Sequence, residues 1–256
     1  MLVKIASVKQ GSIILFLTGI ILIAQCREVH PIKSYYGKID QKQYLLGKFN
    51  PGKSPLFVKI KTMGISTDKR IHYLRKEAAI WLKKMSDAFS KENPGLTLRV
   101  ISSTRTFYDQ KWIWENKWTR VKKYKSIEDP YERALSILQY SSMPGTSRHH
   151  WGTDFDLNSL YNGFFKKGKG KIIYSWLVKH AHKYGFAQPY TANRKKGYNE
   201  ERWHWSYIPL AKKFLKDWND NFAKGDIISK QKLFKGAFYS GHLAPVYVNS
   251  INLKCK

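Results

Sequence analysis

The sequence predicts an α+β fold, with a small, mostly antiparallel central sheet flanked by helices. Three observations carry that expectation. Several segments repeat apolar residues at three- and four-residue spacing, the period of an amphipathic helix. Short β-branched or aromatic runs lie between them, and the two kinds mix without a strict βαβ rhythm. The 256 residues, 43% hydrophobic and 15% aromatic, are enough to bury one substantial core. No internal repeat appears.

The elements follow in order. Lys4 and Lys9 precede an uncharged apolar run, residues 11–24, which ends at Gln25-Cys26. A positive start before a short apolar segment makes an export signal. The run is shorter than the roughly 20 residues a membrane-spanning helix prefers. Ile23-Ala24-Gln25-Cys26 resembles a bacterial lipoprotein cleavage box, with Cys26 as the residue to be lipidated, although Gln25 stands where a small residue is usual. A lipoprotein-type signal over residues 1–25 is therefore expected first, a retained single-pass anchor second and simple cleavage third. All three place the domain outside the cytoplasm, in the cell envelope or periplasm, and the first two anchor it to the membrane.

Residues 26–66 read as an extended leader wrapping the surface, with turns at Asn50-Pro51-Gly52 and Ser54-Pro55. A helix capped by Thr67 or Asp68 should follow, its apolar face made by Ile71, Leu74, Ala78, Leu82, Met85 and Phe89, and Asn93-Pro94-Gly95 should stop it. Residues 96–102 read as a strand and 108–118 as a helix. Its tryptophans, Trp112, Trp114 and Trp118, are assigned to packing rather than to stacking on sugars. Pro130 opens a third helix from the favoured first-turn position, which ends before Met143-Pro144-Gly145. Phe155 and Leu157 then flank Asp156 in a strand, and a Gly/Lys loop covers 161–170. A helix over 171–184 is closed by Gly185, short strands lie at 186–190 and 202–207, and an amphipathic helix spans 209–222. The C-terminal extension, 226–256, has no assigned role and carries strand-like runs such as Val246-Tyr247-Val248.

The formal charge is +28, from 46 Lys+Arg against 18 Asp+Glu. Such a charge favours anionic surfaces such as nucleic acid, acidic lipid or an acidic wall polymer. It is spread along the whole chain, however, which a solvated lysine face describes equally well. Export and the absence of a nucleic-acid-binding motif argue against nucleic acid as a partner. The two cysteines, Cys26 and Cys255, offer no disulfide framework if Cys26 is lipidated, and Cys255 is then a lone thiol near a frayed end.

The chemistry concentrates in Ser147-Arg-His149-His150-Trp-Gly152-Thr-Asp154-Phe-Asp156, two histidines and two aspartates within ten residues. Imidazole and carboxylate are ligands for a dication such as zinc, and Gly152 lets a loop turn so that two of them converge. Catalytic zinc sites use three protein ligands. His204 supplies a third, and Glu201, three residues before it, is a candidate base. The residues alone leave the choice between His149 and His150, and between Asp154 and Asp156, open. His30, His72, His180, His182 and His242 are read as structural.

The pattern Ser147-x-His149-x-x-Gly152-x-x-x-Asp156, followed by Glu201-x-Trp203-His204, resembles the signature of the zinc D-Ala-D-Ala carboxypeptidases, the VanY-like metallopeptidases, a family related in fold to the hedgehog signalling domain. Ser102-Ser103-Thr104-Arg105-Thr106, with Gln110 beyond it, resembles that family's serine-arginine-glutamine segment. The resemblance spans residues 95–210 and implies a zinc D,D-carboxypeptidase domain over 67–225 with its metal at the sheet face. It implies zinc held by His149, Asp156 and His204, and Glu201 as catalytic base and later proton donor. Arg105 is implied as the catalytic group at the developing oxyanion or a carboxylate, and Ser147 and Gln110 as substrate contacts. The implied substrate is the terminal D-Ala-D-Ala bond of a peptidoglycan stem peptide. Asp154 departs from the family, where a small residue is usual, and reads as either an outer carboxylate behind the ligands or a change in substrate fit. Trp203 reads as a pocket wall.

Three other readings compete. An endopeptidase cutting cross-bridges would use the same site. A wall-binding lipoprotein without activity would have no use for Glu201. A serine D,D-peptidase could draw on Ser66-x-x-Lys69 or Ser229-x-x-Lys232, but such spacings arise by chance in a lysine-rich chain, and S-D-N and K-T-G are both missing.

Overall fold

The computed structural model describes residues 35–223 and 233–256. The signal segment, Cys26 and the Ser229/Lys232 pair lie outside the described residues. Among the described residues, no helix is long and apolar enough to cross a membrane.

The architecture is α+β, with two antiparallel sheets. β1 (Phe57–Lys59) pairs with β2 (Tyr73–Arg75) in a two-stranded ribbon. The central sheet has β3 (Val100–Ser102), β4 (Asp154–Leu157), β5 (Phe186–Ala187) and β6 (His204–Tyr207), in the order β3-β4-β6-β5. β4 and β6 are the inner strands, and every residue of both is buried. Helices cover the sheet because each has one apolar stripe to bury. On α2 (Lys76–Glu92) that stripe is Ala78, Ala79, Leu82, Met85 and Phe89. On α7 (Ile208–Phe222) it includes Leu210, Ala211, Phe214, Leu215, Trp218 and Phe222. α3 (Phe107–Thr119) begins with a capping box in which Thr106 and Asp109 satisfy each other's backbone amides. α5 (Pro130–Leu138) is capped by Asp129, and α6 (Gly168–His180) runs through a tight turn to Gly185 in the left-handed region.

Several expectations change. The helix expected from Thr67 starts only at Lys76, because Thr67 bridges to Val100 and residues 73–75 pair with β1. Ile71, placed on its buried face, is exposed. The 35–66 part of the leader is not an extended wrap: it contains a short helix, Gln41–Leu45, contributes β1, and buries Tyr36, Tyr44, Leu45, Leu46, Phe57, Ile60 and Ile65. Val246-Tyr247-Val248 lies in a helix, Ala244–Asn249, where Pro245 occupies the first turn. Cys255 is not frayed but fully buried, and burial pushes its thiol up to about 11. Of the three tryptophans, Trp114 and Trp118 pack inside while Trp112 is 65% exposed.

Gly152 is a tight point of this arrangement. Its φ is +72°, and a Cβ there would lie 2.3 Å from Cε1 of Phe57 and 3.2 Å from Cγ of Arg75. Arg75 closes the same corner from below: its amide donates to the Gly152 carbonyl, and its guanidinium donates to the Tyr35 carbonyl, the Tyr44 hydroxyl and Glu77. Tyr44 in turn donates to the Trp151 carbonyl at 2.8 Å. Gly152→Ala is therefore expected to lose about 2–5 kcal/mol in urea unfolding, from backbone strain and overpacking together. Gly95→Ala shares the positive φ but meets nothing within 4 Å, and should lose only about 1–2 kcal/mol. Equal losses would show that the Phe57 contact is unimportant.

Candidate functional site

The turn Arg148–Trp151 ends at Gly152 and delivers the chain into β4, while the indole of Trp218 on α7 donates to the Gly145 carbonyl and holds the turn's entrance. His149 projects from the turn, Asp156 from β4, and His204 from β6 directly opposite Asp156 in the register. One donor atom from each lies within 4.8 Å of the others, and all three residues are buried. Asp156 Oδ1 is 3.4 Å from His149 Nε2 and 3.3 Å from His204 Nδ1. Yet His149 Nε2 and Asp156 Oδ1 make no hydrogen bond. Buried polar atoms left unpaired are costly, and this orphaned nitrogen and oxygen, with His204 Nδ1 converging beside them, fit a dication of the zinc class.

The surroundings orient those donors. His149 Nδ1 faces the Ser103 carbonyl at 2.7 Å, which can only accept, so Nδ1 carries the proton and Nε2 turns its lone pair inward. His204 Nε2 lies 2.9 Å from Asp154 Oδ2, which directs Nδ1 inward in the same way. Asp154 is itself fixed by Arg148 Nε, Ser206 Oγ and Thr153 Oγ1 at 2.6–2.9 Å. Asp154 is thus the outer carboxylate behind His204 and does not line the cavity. His150 is a backbone clamp: Nδ1 donates to the Arg105 carbonyl and Nε2 accepts from the Gly145 amide.

Charge follows burial and neighbours. Burial opposes ionisation of Asp156, but His149, His204 and Arg105 outweigh it and hold the carboxylate well below its usual range. Asp154 is held low in the same way, mainly by Arg148 and His204. Burial, aided by Arg105, takes His149 down to about 4. Burial also pulls on His204, but its hydrogen bonds to Asp154 and Glu201 prevail and raise it to about 9. Glu201 is raised, chiefly by burial.

The cluster forms the floor of a cavity of about 830 Å³. Glu201, Arg105, Gln110, Tyr190 and Trp203 line it. Glu201 Oε2 stands 3.2 Å from His204 Nδ1. Its backbone is fixed by its amide, which donates a hydrogen bond to the Tyr190 carbonyl, and by Gln188, which donates to the Glu201 carbonyl. Arg105 donates to Ser102 Oγ at 3.0 Å and lies 3.9 Å from Asp156 Oδ2. Gln110 donates to the Ser142 carbonyl and leaves its buried Oε1 unpaired. Ser147 is buried away from the cavity with its hydroxyl unpaired. Sequence reading overlooked Ser103, whose contribution is a backbone carbonyl and leaves no residue signal. It also overlooked Arg148, whose spacing to Asp154 hinted at a pair, and Lys117 on the cavity wall. His72, read as structural, also lines the cavity, hydrogen-bonded to Ser103 and Asp68.

Comparison with known proteins adds the following. Residues 71–210 match the family model described as VanY, D-alanyl-D-alanine carboxypeptidase. YodJ of Bacillus subtilis (strain 168), named as a candidate carboxypeptidase, is 33% identical over 185 residues, 70% of this chain. The chain spans 62% of the length of that relative. A solved structure of the LdcB LD-carboxypeptidase is 26% identical with a TM-score of 0.49, over 77% of this chain and 80% of its own. VanYB in complex with D-alanine-D-alanine is 24% identical with a TM-score of 0.45, over 59% and 79%.

The Arg148–Asp154 pair, 1% and 0% exposed, gives a direct test of the support behind His204. Arg148→Met leaves Asp154 charged and buried without its main cation, and should cost about 3–5 kcal/mol in urea unfolding with chelator present. Adding Asp154→Asn to that variant should recover a substantial part. A loss within 1 kcal/mol of zero for the single change would mean the pair contributes no support.

Proposed function

Because the chain belongs to the VanY family of D-alanyl-D-alanine carboxypeptidases, we propose that it is a zinc-dependent D,D-carboxypeptidase acting on the terminal D-Ala-D-Ala bond of peptidoglycan stem peptides. The observation that carries this reading is the three-donor cluster of His149, Asp156 and His204, with Glu201 beside it in the same cavity. A structural zinc site closes with a fourth protein ligand and needs no spare carboxylate, whereas a catalytic one uses three. Zinc held there would supply Lewis acidity towards a substrate carbonyl and towards water. Glu201 takes a proton from the attacking water and returns it to the departing D-alanine nitrogen. Its raised pKa suits a group that must do both. Arg105 faces the charge that builds on the carbonyl oxygen. Asp154 and the Ser103 carbonyl keep the two histidines oriented.

The same reading puts the domain in the cell envelope, tethered through a lipid on Cys26 or through an uncleaved apolar start. Both groups lie outside the described residues.

The test is release of D-alanine from a stem pentapeptide by the zinc-loaded protein, followed by mass spectrometry. Glu201→Gln should lower kcat by about 10²–10⁴-fold with zinc content unchanged. Arg105→Met should lower it by about 10²–10³-fold. Cleavage of cross-linked dimers without any release of D-alanine would replace the carboxypeptidase with an endopeptidase. Full activity in Glu201→Gln would remove Glu201 from the mechanism.

A further inference from the structure

Besides Arg105, and Arg70 with its carboxylate partner Asp68, the cavity is lined by a third cation, Lys117, that the reaction above leaves unused. Gln110, Ile113 and Lys117 fall on one face of α3 and all line the cavity. Long helical side chains lean towards the helix N-terminus, which carries the Lys117 ammonium back towards Gln110. Its Nζ donates to Ser141 Oγ at 2.5 Å, one residue from the Ser142 carbonyl that Gln110 holds. The Tyr124 ring lies 5.6 Å away. Glu201 and Arg105 are both near enough to act on its charge.

The ion-paired lysines of α2, α3 and α7 find their carboxylate four residues on: Lys83 with Asp87, Lys111 with Glu115, Lys213 with Asp217, Lys216 with Asp220. Four residues beyond Lys117 stands Val121. Among the described residues, no carboxylate forms an ion pair with Lys117. Burial lowers its pKa, a cost that an incoming anion would offset. Ser141 satisfies only one of its three N–H donors in hydrogen-bond terms. Arg105, by contrast, already stands against Ser102 and Asp156 at the donor cluster.

An enzyme that cuts only at chain ends must read the free α-carboxylate of the leaving residue with a group other than the one serving the oxyanion. We propose that Lys117, with Ser141 beside it, is the group that grips this terminal carboxylate and makes the site select chain ends over internal bonds. This rests on the carboxypeptidase reading above.

The test compares diacetyl-L-Lys-D-Ala-D-Ala with its C-terminal amide, using the full zinc-loaded chain, and takes the ratio of the two kcat/KM values. Both are measured on one preparation, so any loss of folded protein cancels. Wild type should favour the acid strongly. Lys117→Met should reduce that preference by about 10–100-fold, the range of one hydrogen bond to a charged group, mostly through KM for the acid. Lys117→Arg, which keeps the charge, should retain most of it. An unchanged ratio in Lys117→Met would overturn the proposal, as would a wild type that cleaves acid and amide alike, and in both cases the peptidase reading would stand. A wild type that cleaves neither, releasing no D-alanine from the acid and no D-alaninamide from the amide, would overturn that reading and this one with it.

Discussion

The pairing of β4 with β6 is the constraint on which the site depends. Asp156 and His204 are partners in the register, and two positions along, Asp154 faces Ser206. Side chains alternate across a sheet, so a slip of one residue would turn one strand's entire set to the other face. The slip would remove His204 from Asp156 and, at the same time, Ser206 from Asp154. Two interlocked sets of contacts, donors in front and an ionic support behind, thus enforce one register. This explains why an aspartate is tolerated at position 154: Arg148, Thr153 and Ser206 surround it completely.

The rest of the domain keeps that pair fixed. Trp218 holds the entrance to the Arg148–Trp151 turn, while Phe57 and Arg75 close over Gly152 at its exit. Both closing residues belong to the two-stranded ribbon, and Tyr44 from the preceding short helix ties them to Trp151. The segment before the catalytic motifs is therefore part of their foundation. α3 then contributes the opposite wall, with Gln110 and Lys117 facing inward.

What the sequence made legible were features written in side-chain identity and period. The histidines and carboxylates gathered at the cavity, Glu201 and Arg105 among the residues there, the helices at 108–118 and 209–222, and the left-handed turn at Gly185 all leave such signals. Long-range pairing leaves none. Thr67 and Ile71 fit a helical stripe, but β1 and Val100 claim the backbone around them. Val246-Tyr247-Val248 has strand propensity, yet it has no strand partner among the described residues and follows a proline suited to a helix start. The 35–66 segment lacks strong periodicity because it packs through scattered aromatics such as Tyr44 and Phe57 rather than through one face. Ser103 was invisible for a different reason, since its part is played by a carbonyl that any residue could supply.

The adjacent histidines have one more consequence. Arg105 donates its amide to the His149 carbonyl and gives its own carbonyl to the His150 ring. The arginine's main chain is thereby stitched on both sides to the segment carrying the first ligand. A shift of the His149-His150 segment would reach the backbone of Arg105 through these two hydrogen bonds, one to each histidine. The placement of His149 and that of Arg105 are thus set together by the main chain rather than by their side chains alone.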